Sequence, residues 1–154
     1  MKILKQVVIL LMTVATLSIC TTANAKKKPI PKMYIYGMSA SFNDTIVYFT
    51  NIQEIDSAWI DTKNNFLQGR EQYAWQLREH LTTQKQMPHR TCIVIANKNR
   101  KKLEKQYIKM KRLYTHNKKG QKSLHYDIRY LEDQDFQFKT VNIGDIYDNT
   151  NDSE

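Results

Sequence analysis

A short apolar segment followed at once by a basic amphipathic segment limits the folds open to this chain more than any other feature. The apolar segment, residues 91–96, is rich in β-branched side chains and shows no polar alternation. A strand that is apolar on both sides is typical of the centre of a sheet. Residues 99–115 follow with helical spacing. The two segments together predict a central strand that leads into a helix packed on the sheet.

The basic segment divides its residues between two sides of the predicted helix. The apolar side, expected to face the core, consists of Leu103, Tyr107, Met110 and Tyr114. The opposite side is the candidate anion-binding site and consists of Lys98, Lys102, Lys105, Lys109 and Arg112. Residues 98–119 hold ten basic residues and one acidic residue, Glu104, so a local positive field is expected. A solvated helix face that keeps the domain soluble is the alternative explanation.

The first 25 residues contain the three parts of an export signal. Lys2 and Lys5 precede a 13-residue apolar run, and Ala23-Asn24-Ala25 supplies the small residues that a signal peptidase reads. The run is shorter than the roughly 20 residues that a membrane-spanning helix needs. We therefore predict cleavage after Ala25 and a periplasmic, secreted or cell-surface protein with no transmembrane segment after cleavage.

The two cysteines of the chain lie in different contexts. Cys20 belongs to Leu17-Ser18-Ile19-Cys20, which resembles the lipobox of bacterial lipoproteins except that Ile19 stands where a small residue is usual. Cleavage after Ala25 is the favoured prediction, and it leaves Cys92 as the only cysteine. A single cysteine cannot form an intramolecular disulfide, so the exported domain must be held together by its core.

The rest of the sequence predicts a hairpin, a second helix and further strands. Residues 34–51 alternate around a turn at Asn43-Asp44, which places Met38 opposite Phe49, and Phe42 on the same, inward face. Residues 66–84 have helical spacing, and residues 124–131 alternate like a half-buried strand. With weaker strands before the first helix and at the end, the order is β-β-(β)-α-β-α-β-(β). The predicted fold class is α+β, two-layer, with a mixed β-sheet and two helices packed on one face.

Charge and composition divide the chain into four parts. After the signal peptide, residues 26–32 are lysine-rich with two prolines and are predicted to be a basic linker. Residues 33–143 are predicted to form a single globular α+β domain. Residues 144–154 are polar and acidic and are predicted to be a flexible tail.

Candidate catalytic and metal-binding residues are few. Cys92, with His89 nearby in sequence, leaves open a small thiol-dependent or hydrolytic enzyme. In the second position of an apolar strand, however, a cysteine usually serves as a small buried apolar residue. The histidines are scattered without the pairing of a metal site, at His80, His89, His116 and His125. No glycine-rich phosphate loop or Gly-x-Ser-x-Gly motif occurs, and we predict no catalytic residue, no metal site and no cofactor.

Several short segments, together with the export signal, resemble a group of small exported proteins of Bacteroides-type bacteria. These segments are Ala40-Ser41-Phe42-Asn43-Asp44, Val47-Tyr48-Phe49-Thr50 and Arg90-Thr91-Cys92. The resemblance covers most of the mature chain and implies a periplasmic or surface location, but it carries over no activity, cofactor or catalytic residue. Two triplets, Asp44-Thr45-Ile46 and Asp56-Ser57-Ala58, resemble the O-glycosylation signal of such bacteria, although a turn and a strand edge also explain them.

These observations favour an exported, non-enzymatic interaction protein of the periplasm or cell envelope. Its expected partner is an anionic envelope component or an acidic protein, contacted through the basic helix. Export argues against genomic DNA, and aromatic residues do not interleave on the basic face as stacking on single-stranded nucleic acid requires. The alternative function is the small enzyme centred on Cys92. The sequence leaves the oligomeric state open.

Overall fold

The computed structural model describes residues 27–115 and 125–142. Within these residues the chain forms five strands and two helices. The strands are β1 Lys27–Ala40, β2 Ile46–Thr50, β3 Gln53–Asp61, β4 Thr91–Asn97 and β5 Asp127–Leu131, and the helices are α1 Arg70–Gln84 and α2 Arg100–Thr115. The predicted signal peptide, residues 1–25, and the predicted acidic tail, residues 144–154, lie outside the described residues.

The long strand β1 organises the sheet. β4 pairs antiparallel with one edge of β1. On the other edge β3 pairs with the first part of β1 and β2 pairs with its last part, both antiparallel. β5 lies beyond β2 and runs parallel to it. The protein is therefore an α+β protein with a mixed sheet and two helices, and this part of the predicted fold class is confirmed.

The predicted register of the hairpin is confirmed, but its turn differs from the prediction. Met38 is the Cα partner of Phe49, and Phe49 is fully buried. Phe42, expected on the same buried face, is fully exposed because β1 already ends at Ala40. The connection is a local turn in which Asp44 Oδ1 accepts a hydrogen bond of 2.8 Å from the backbone N–H two residues later.

A β-bulge marks the change of partner along β1. Residues 50–52 lie opposite only two residues of β1, Tyr36 and Gly37, as the registers on either side require. The backbone N–H of Gly37 donates a hydrogen bond of 2.8 Å to Thr50 Oγ1 in the bulge. A Cβ atom at Gly37 would lie 2.7 Å from Leu77 Cδ2, so only glycine allows α1 to pack this closely on the sheet.

Consecutive residues of β1 point to opposite faces of the sheet, and each face carries one helix. Ile35 belongs to the buried cluster that contains Leu77 and Leu81 of α1. The next residue, Tyr36, contacts Tyr107 of α2 edge-to-face, with ring centroids 4.9 Å apart. The structure therefore corrects the expected placement of both helices on one face, because the sheet lies between the two helices.

The strand order explains this placement. Strands β3, β4 and β5 all run antiparallel to β1, and the two helices connect them in sequence. The β3–α1–β4 connection crosses β1 in one direction, and the β4–α2–β5 connection crosses back over β1 and β2. Connections between parallel strands strongly prefer one hand. Two connections of the same hand that cross a sheet in opposite directions must lie on opposite faces.

β4 and residues 27–32 both differ from their predicted places in the fold. β4, expected at the sheet centre, pairs only with β1 among the described strands and therefore lies at the edge. It is apolar on both sides because α1 and α2 flank it, and not because strands enclose it. Residues 27–32, expected to be a linker, form the first part of β1 and pair with β3. Backbone hydrogen bonding does not depend on the lysine side chains, which are exposed.

The last described residues, 132–142, form a strap across the outer part of the sheet. The sequence predicts a weak final strand near Phe138, but no strand is assigned to the described part of this segment. Side-chain amides hold it instead: Gln53 Oε1 accepts a hydrogen bond of 2.9 Å from the backbone N–H of Phe138. Gln76 of α1 bonds both the N–H and the C=O of Lys139, at 2.9 and 3.0 Å.

Candidate functional site

The start of α2 is fixed by two asparagines that follow β4. Asn97 Oδ1 accepts a hydrogen bond of 2.9 Å from the N–H of Asn99. Asn99 Oδ1 in turn accepts one of 3.1 Å from the N–H of Lys102 and thereby caps the helix. The helix therefore begins at Arg100, and the cap sets which residues face the sheet.

The inner side of α2 is anchored by leucine and tyrosine side chains. Leu103 is fully buried. Tyr107 contacts Phe49 with ring centroids 5.7 Å apart, and Tyr114 contacts Phe49 at 6.2 Å and Tyr126 at 5.0 Å. Edge-to-face pairs of this kind contribute about 0.5–1.5 kcal/mol each beyond area burial. The predicted apolar side is confirmed, and its packing fixes the rotation of the helix about its axis.

The outer side of α2 carries five exposed cations, which we call the basic stripe: Lys101, Lys102, Lys105, Lys109 and Arg112. At 3.6 residues per turn these residues fall within an arc of about 100° opposite the buried side chains. The sequence predicts four of the five. Lys101 is the addition, and its spacing of four residues from Lys105 is the signal that identifies it.

Lys98, the remaining predicted site residue, is not part of the basic stripe. It precedes α2, and its Nζ donates a hydrogen bond of 2.7 Å to Asn65 Oδ1 in the connection between β3 and α1. Its side chain is exposed. Lys98 thus lies just before the first turn of α2. Its side chain links the β4–α2 connection to the β3–α1 connection.

Two other basic residues of α2 are engaged in local contacts. Arg100 pairs with Glu104, with Nε and Oε1 3.1 Å apart. Lys111 Nζ lies 4.4 Å from the ring centroid of Tyr130, a cation–π contact that holds this side chain against β5. Neither cation points along the basic stripe.

The charge of the basic stripe is not compensated locally. In residues 27–115 and 125–142 no carboxylate forms an ion pair with any of the five cations. The first turn of α2 contains no acidic residue, so the positive end of the helix dipole is also uncompensated by its own side chains. Like charges such as Lys105 and Lys109, one turn apart, disfavour a helix by a few tenths of a kcal/mol per pair. The packing of the inner side must offset this repulsion.

Two aliphatic side chains flank the basic stripe. Ile108 is 50 % exposed and Leu113 is 58 % exposed. Their helical positions place one on each side of the five cations. The outer face of α2 therefore combines positive charge with exposed apolar surface.

A buried arginine is the polar feature that sequence reasoning misses. Arg90 is 3 % exposed, and its Nη1 lies 2.7 Å from Asp44 Oδ2. Its Nε donates a hydrogen bond of 3.1 Å to Ser39 Oγ, and Nη2 donates to the carbonyl oxygen of Ile46. The guanidinium carbon also lies 5.5 Å from the ring centroid of Tyr48. With all three nitrogens bonded, Arg90 holds the β1–β2 turn against the start of β4.

The thiol of Cys92 is covered. Cys92 is 6 % exposed. Burial raises the pKa of its thiol, while the hydroxyl of Ser39 and the guanidinium groups of Arg78 and Arg90 oppose this shift with smaller effects. A thiol with a raised pKa is a poor nucleophile near neutral pH. His89 is exposed, and no hydrogen bond joins it to Cys92 in the described part of the chain. The geometry therefore gives the enzymatic alternative no support.

Across the described residues, no group of three or more histidine, cysteine, aspartate or glutamate side chains is arranged to hold a metal ion. Within the same residues no helix is both long enough and apolar enough to cross a membrane. The hydroxyl-bearing residues of the two triplets that resemble glycosylation signals, Thr45 and Ser57, are both exposed.

Comparison with known proteins gives no match: no family model fits the sequence, and neither a curated protein nor a solved structure is detectably similar to it.

Proposed function

We propose that this chain is an exported, non-enzymatic binding protein that contacts an anionic component of the cell envelope through the basic stripe of α2. The observation that carries the proposal is the charge of the stripe: five exposed cations with no carboxylate partner in the described part of the chain. Such a surface attracts an anionic partner over the distance set by ionic screening.

The rigidity of the helix supports the proposal. The cap at Asn99 and the packing of Leu103, Tyr107 and Tyr114 hold the outer face in one orientation. A surface that is ordered before binding loses less conformational entropy when it binds. The lysine side chains are exposed, and the backbone that presents them is already fixed by this packing.

Among anionic envelope components, a lipid surface fits best. The exposed side chains of Ile108 and Leu113 can enter the headgroup region beside lipids that pair with the basic stripe. A soluble polyanion offers the same charge but no apolar layer. Each lysine near an anionic membrane contributes about 1 kcal/mol.

Vesicle binding tests the proposal. We expect the protein to sediment with vesicles that contain phosphatidylglycerol, to leave neutral vesicles unbound, and to be released as salt is added. Replacing Lys102, Lys105 and Lys109 with Glu removes about 3 kcal/mol of attraction, roughly 100-fold in affinity, before the added repulsion is counted.

A matched control separates the stripe from net charge. Lys28, Lys63 and Lys139 are also exposed, and replacing all three with Glu changes the net charge by the same amount. We expect this control variant to bind vesicles nearly as well as the unaltered chain. An equal loss of vesicle binding in both variants would refute the proposed site. The same holds if the unaltered chain does not bind anionic vesicles at low salt. Retention by heparin without retention by vesicles would replace the lipid surface with a soluble polyanion or an acidic protein.

Export is a separate part of the proposal and rests on the three-part signal in residues 1–25. We expect the mature chain in its host to begin at Lys26. Intact-mass analysis of the protein isolated from that host shows directly at which residue the mature chain begins. A retained Met1, or an acylated Cys20 at the N-terminus, would contradict cleavage after Ala25.

A further inference from the structure

The outer edge of β4 is open. Among the described residues β4 pairs with β1 alone, and no other backbone hydrogen bond reaches Thr91–Asn97. Every second residue of such a strand directs its N–H and C=O groups away from the sheet, where another strand can pair with them. The edge is seven residues long and contains no charged residue, proline or glycine.

The other two edges carry the features that usually prevent strand pairing. β3 bears three carboxylates, Glu54, Asp56 and Asp61, and is distorted at Ser57, where φ is 54°. β5 has only five residues and bears an aspartate and an arginine that pair with each other. Charges, irregular backbone and short length all disfavour edge-to-edge association. Of the three edge strands β3, β4 and β5, only β4 lacks these protections.

The sequence of β4 is nearly symmetric about its central residue, Val94. Ile93 and Ile95 flank the centre, small apolar residues follow on both sides, and polar residues occupy both ends. If two copies of the strand pair antiparallel about Val94, Ile93 faces Ile95 of the other copy. Thr91 likewise faces Asn97. Like side chains therefore meet along the whole strand, and the alternation between faces is preserved.

The surfaces beside this edge are also suited to a second copy. Ile93 is 39 % exposed, and Trp75 on the neighbouring helix α1 is 57 % exposed. Glu71, Trp75 and Arg78 line one groove with Cys92 of β4. Glu71 and Arg78 lie about one turn on either side of Trp75, so an antiparallel second α1 would bring opposite charges together.

We propose that β4 is a dimerisation edge, at which two copies of this chain pair antiparallel about Val94 and join their sheets. This interface is independent of the proposed anion binding. The two-fold arrangement uses the same surface on both copies. Assembly stops at two copies because the outer edges of β3 and β5 are protected against strand pairing. A dimer would also double the number of basic stripes and so strengthen binding to an extended surface.

Sedimentation equilibrium combined with hydrogen exchange tests the proposal on the protein as its host processes it. We expect a mass that rises with concentration to twice that of one chain. Over the same concentration range, the amides of Thr91–Asn97 that point away from β1, which are every second one, should become protected. Ile93→Lys, which places a charge at the edge, should give a monomer in which these amides exchange quickly. The matched control Ile108→Lys changes an exposed isoleucine of α2, away from the edge, and should remain dimeric.

Three results would overturn the proposal. The first is a monomer at every concentration. The second is a dimer that Ile93→Lys leaves intact. The third is protection of the outward-pointing β4 amides that does not change with concentration, which would show that the chain itself covers the edge. If Ile93→Lys fails to fold, as judged by circular dichroism, the concentration dependence of exchange in the unaltered protein still decides between these results.

Discussion

The two helices lie on opposite faces of one sheet and present very different surfaces to solvent. The charged residues of α1 balance, with two arginines and two glutamates. Those of α2 do not, with seven basic residues and one acidic residue. Both helices belong to the same small domain, so exposure to water alone does not require the charge of α2. The difference supports a specific role for the basic stripe, because α1 is exposed without a comparable excess of charge.

The inner sides of the helices differ as well. α1 packs Tyr73, Leu77 and Leu81 against the sheet and is tied to the C-terminal strap through Gln76. α2 relies on a set of tyrosines around Phe49. The helix with the greater electrostatic repulsion therefore depends on aromatic packing for its position.

Replacing Phe49, around which the tyrosines of α2 pack, should have the largest effect on stability. Phe49 is fully buried and contacts both Tyr107 and Tyr114. We expect Phe49→Ala to lower the free energy of unfolding by about 3–5 kcal/mol, as for other buried phenylalanines. Phe42→Ala is the control, since Phe42 is fully exposed, and should change stability by less than about 0.5 kcal/mol. Denaturant unfolding measures both, and a loss below about 1 kcal/mol for Phe49→Ala would contradict the packing.

Neutralising the basic stripe should stabilise the protein. Replacing Lys102, Lys105 and Lys109 with Gln removes the like-charge pairs within the stripe and should raise the free energy of unfolding by about 1 kcal/mol at low salt. Added salt should reduce the gain. The same substitution at Arg70 and Arg78 of α1 should bring no gain, because the charges of that helix are balanced. An equal gain in the free energy of unfolding from the substitutions in α1 and in α2 would contradict the claim that only α2 carries repelling charges.

High pH should weaken the α2 face through two tyrosines, the buried Tyr36 and the partly buried Tyr107. Burial raises the pKa of Tyr36 and of Tyr107 to about 12, from an ordinary value of 10.0. In the unfolded chain these hydroxyls lose their protons first, so the stability they contribute is intact below pH 10 and is lost as the pH rises towards about 12. We expect the free energy of unfolding to fall over this window.

The variant Tyr36→Phe sharpens that measurement. The hydroxyl of Tyr36 is buried without a hydrogen-bond partner among the described residues. Its removal should leave stability at neutral pH unchanged or slightly higher, and it should make the decline above pH 10 shallower. An unaltered alkaline decline in Tyr36→Phe would assign the effect to other groups.

Local patterns were enough to predict much of the candidate site. The spacing of Leu103, Tyr107 and Tyr114 predicts which side of α2 is buried, and the opposite side follows from helical geometry. The turn of the first hairpin predicts the pairing of Met38 with Phe49. Both predictions depend on residues near each other in sequence, where spacing determines geometry.

Features that depend on distant pairing were not predictable in the same way. The face on which each helix packs follows from the position of β4 on the edge of β1 opposite to β3, and no local pattern gives that order. The bonding of Arg90 joins residues from two separate parts of the chain. The strand formed by residues 27–32 arises from backbone pairing with β3, although its lysines and prolines suggest a linker.

The most direct test of the central claim maps the bound surface residue by residue. Amide resonances of the isotopically labelled protein can be followed by nuclear magnetic resonance during titration with small anionic bicelles. We expect the largest changes along Arg100–Thr115, centred on the basic stripe, with little change in Arg70–Gln84, and reversal by added salt. Changes centred on α1, or no change in α2 at low salt, would contradict a specific role for the basic stripe.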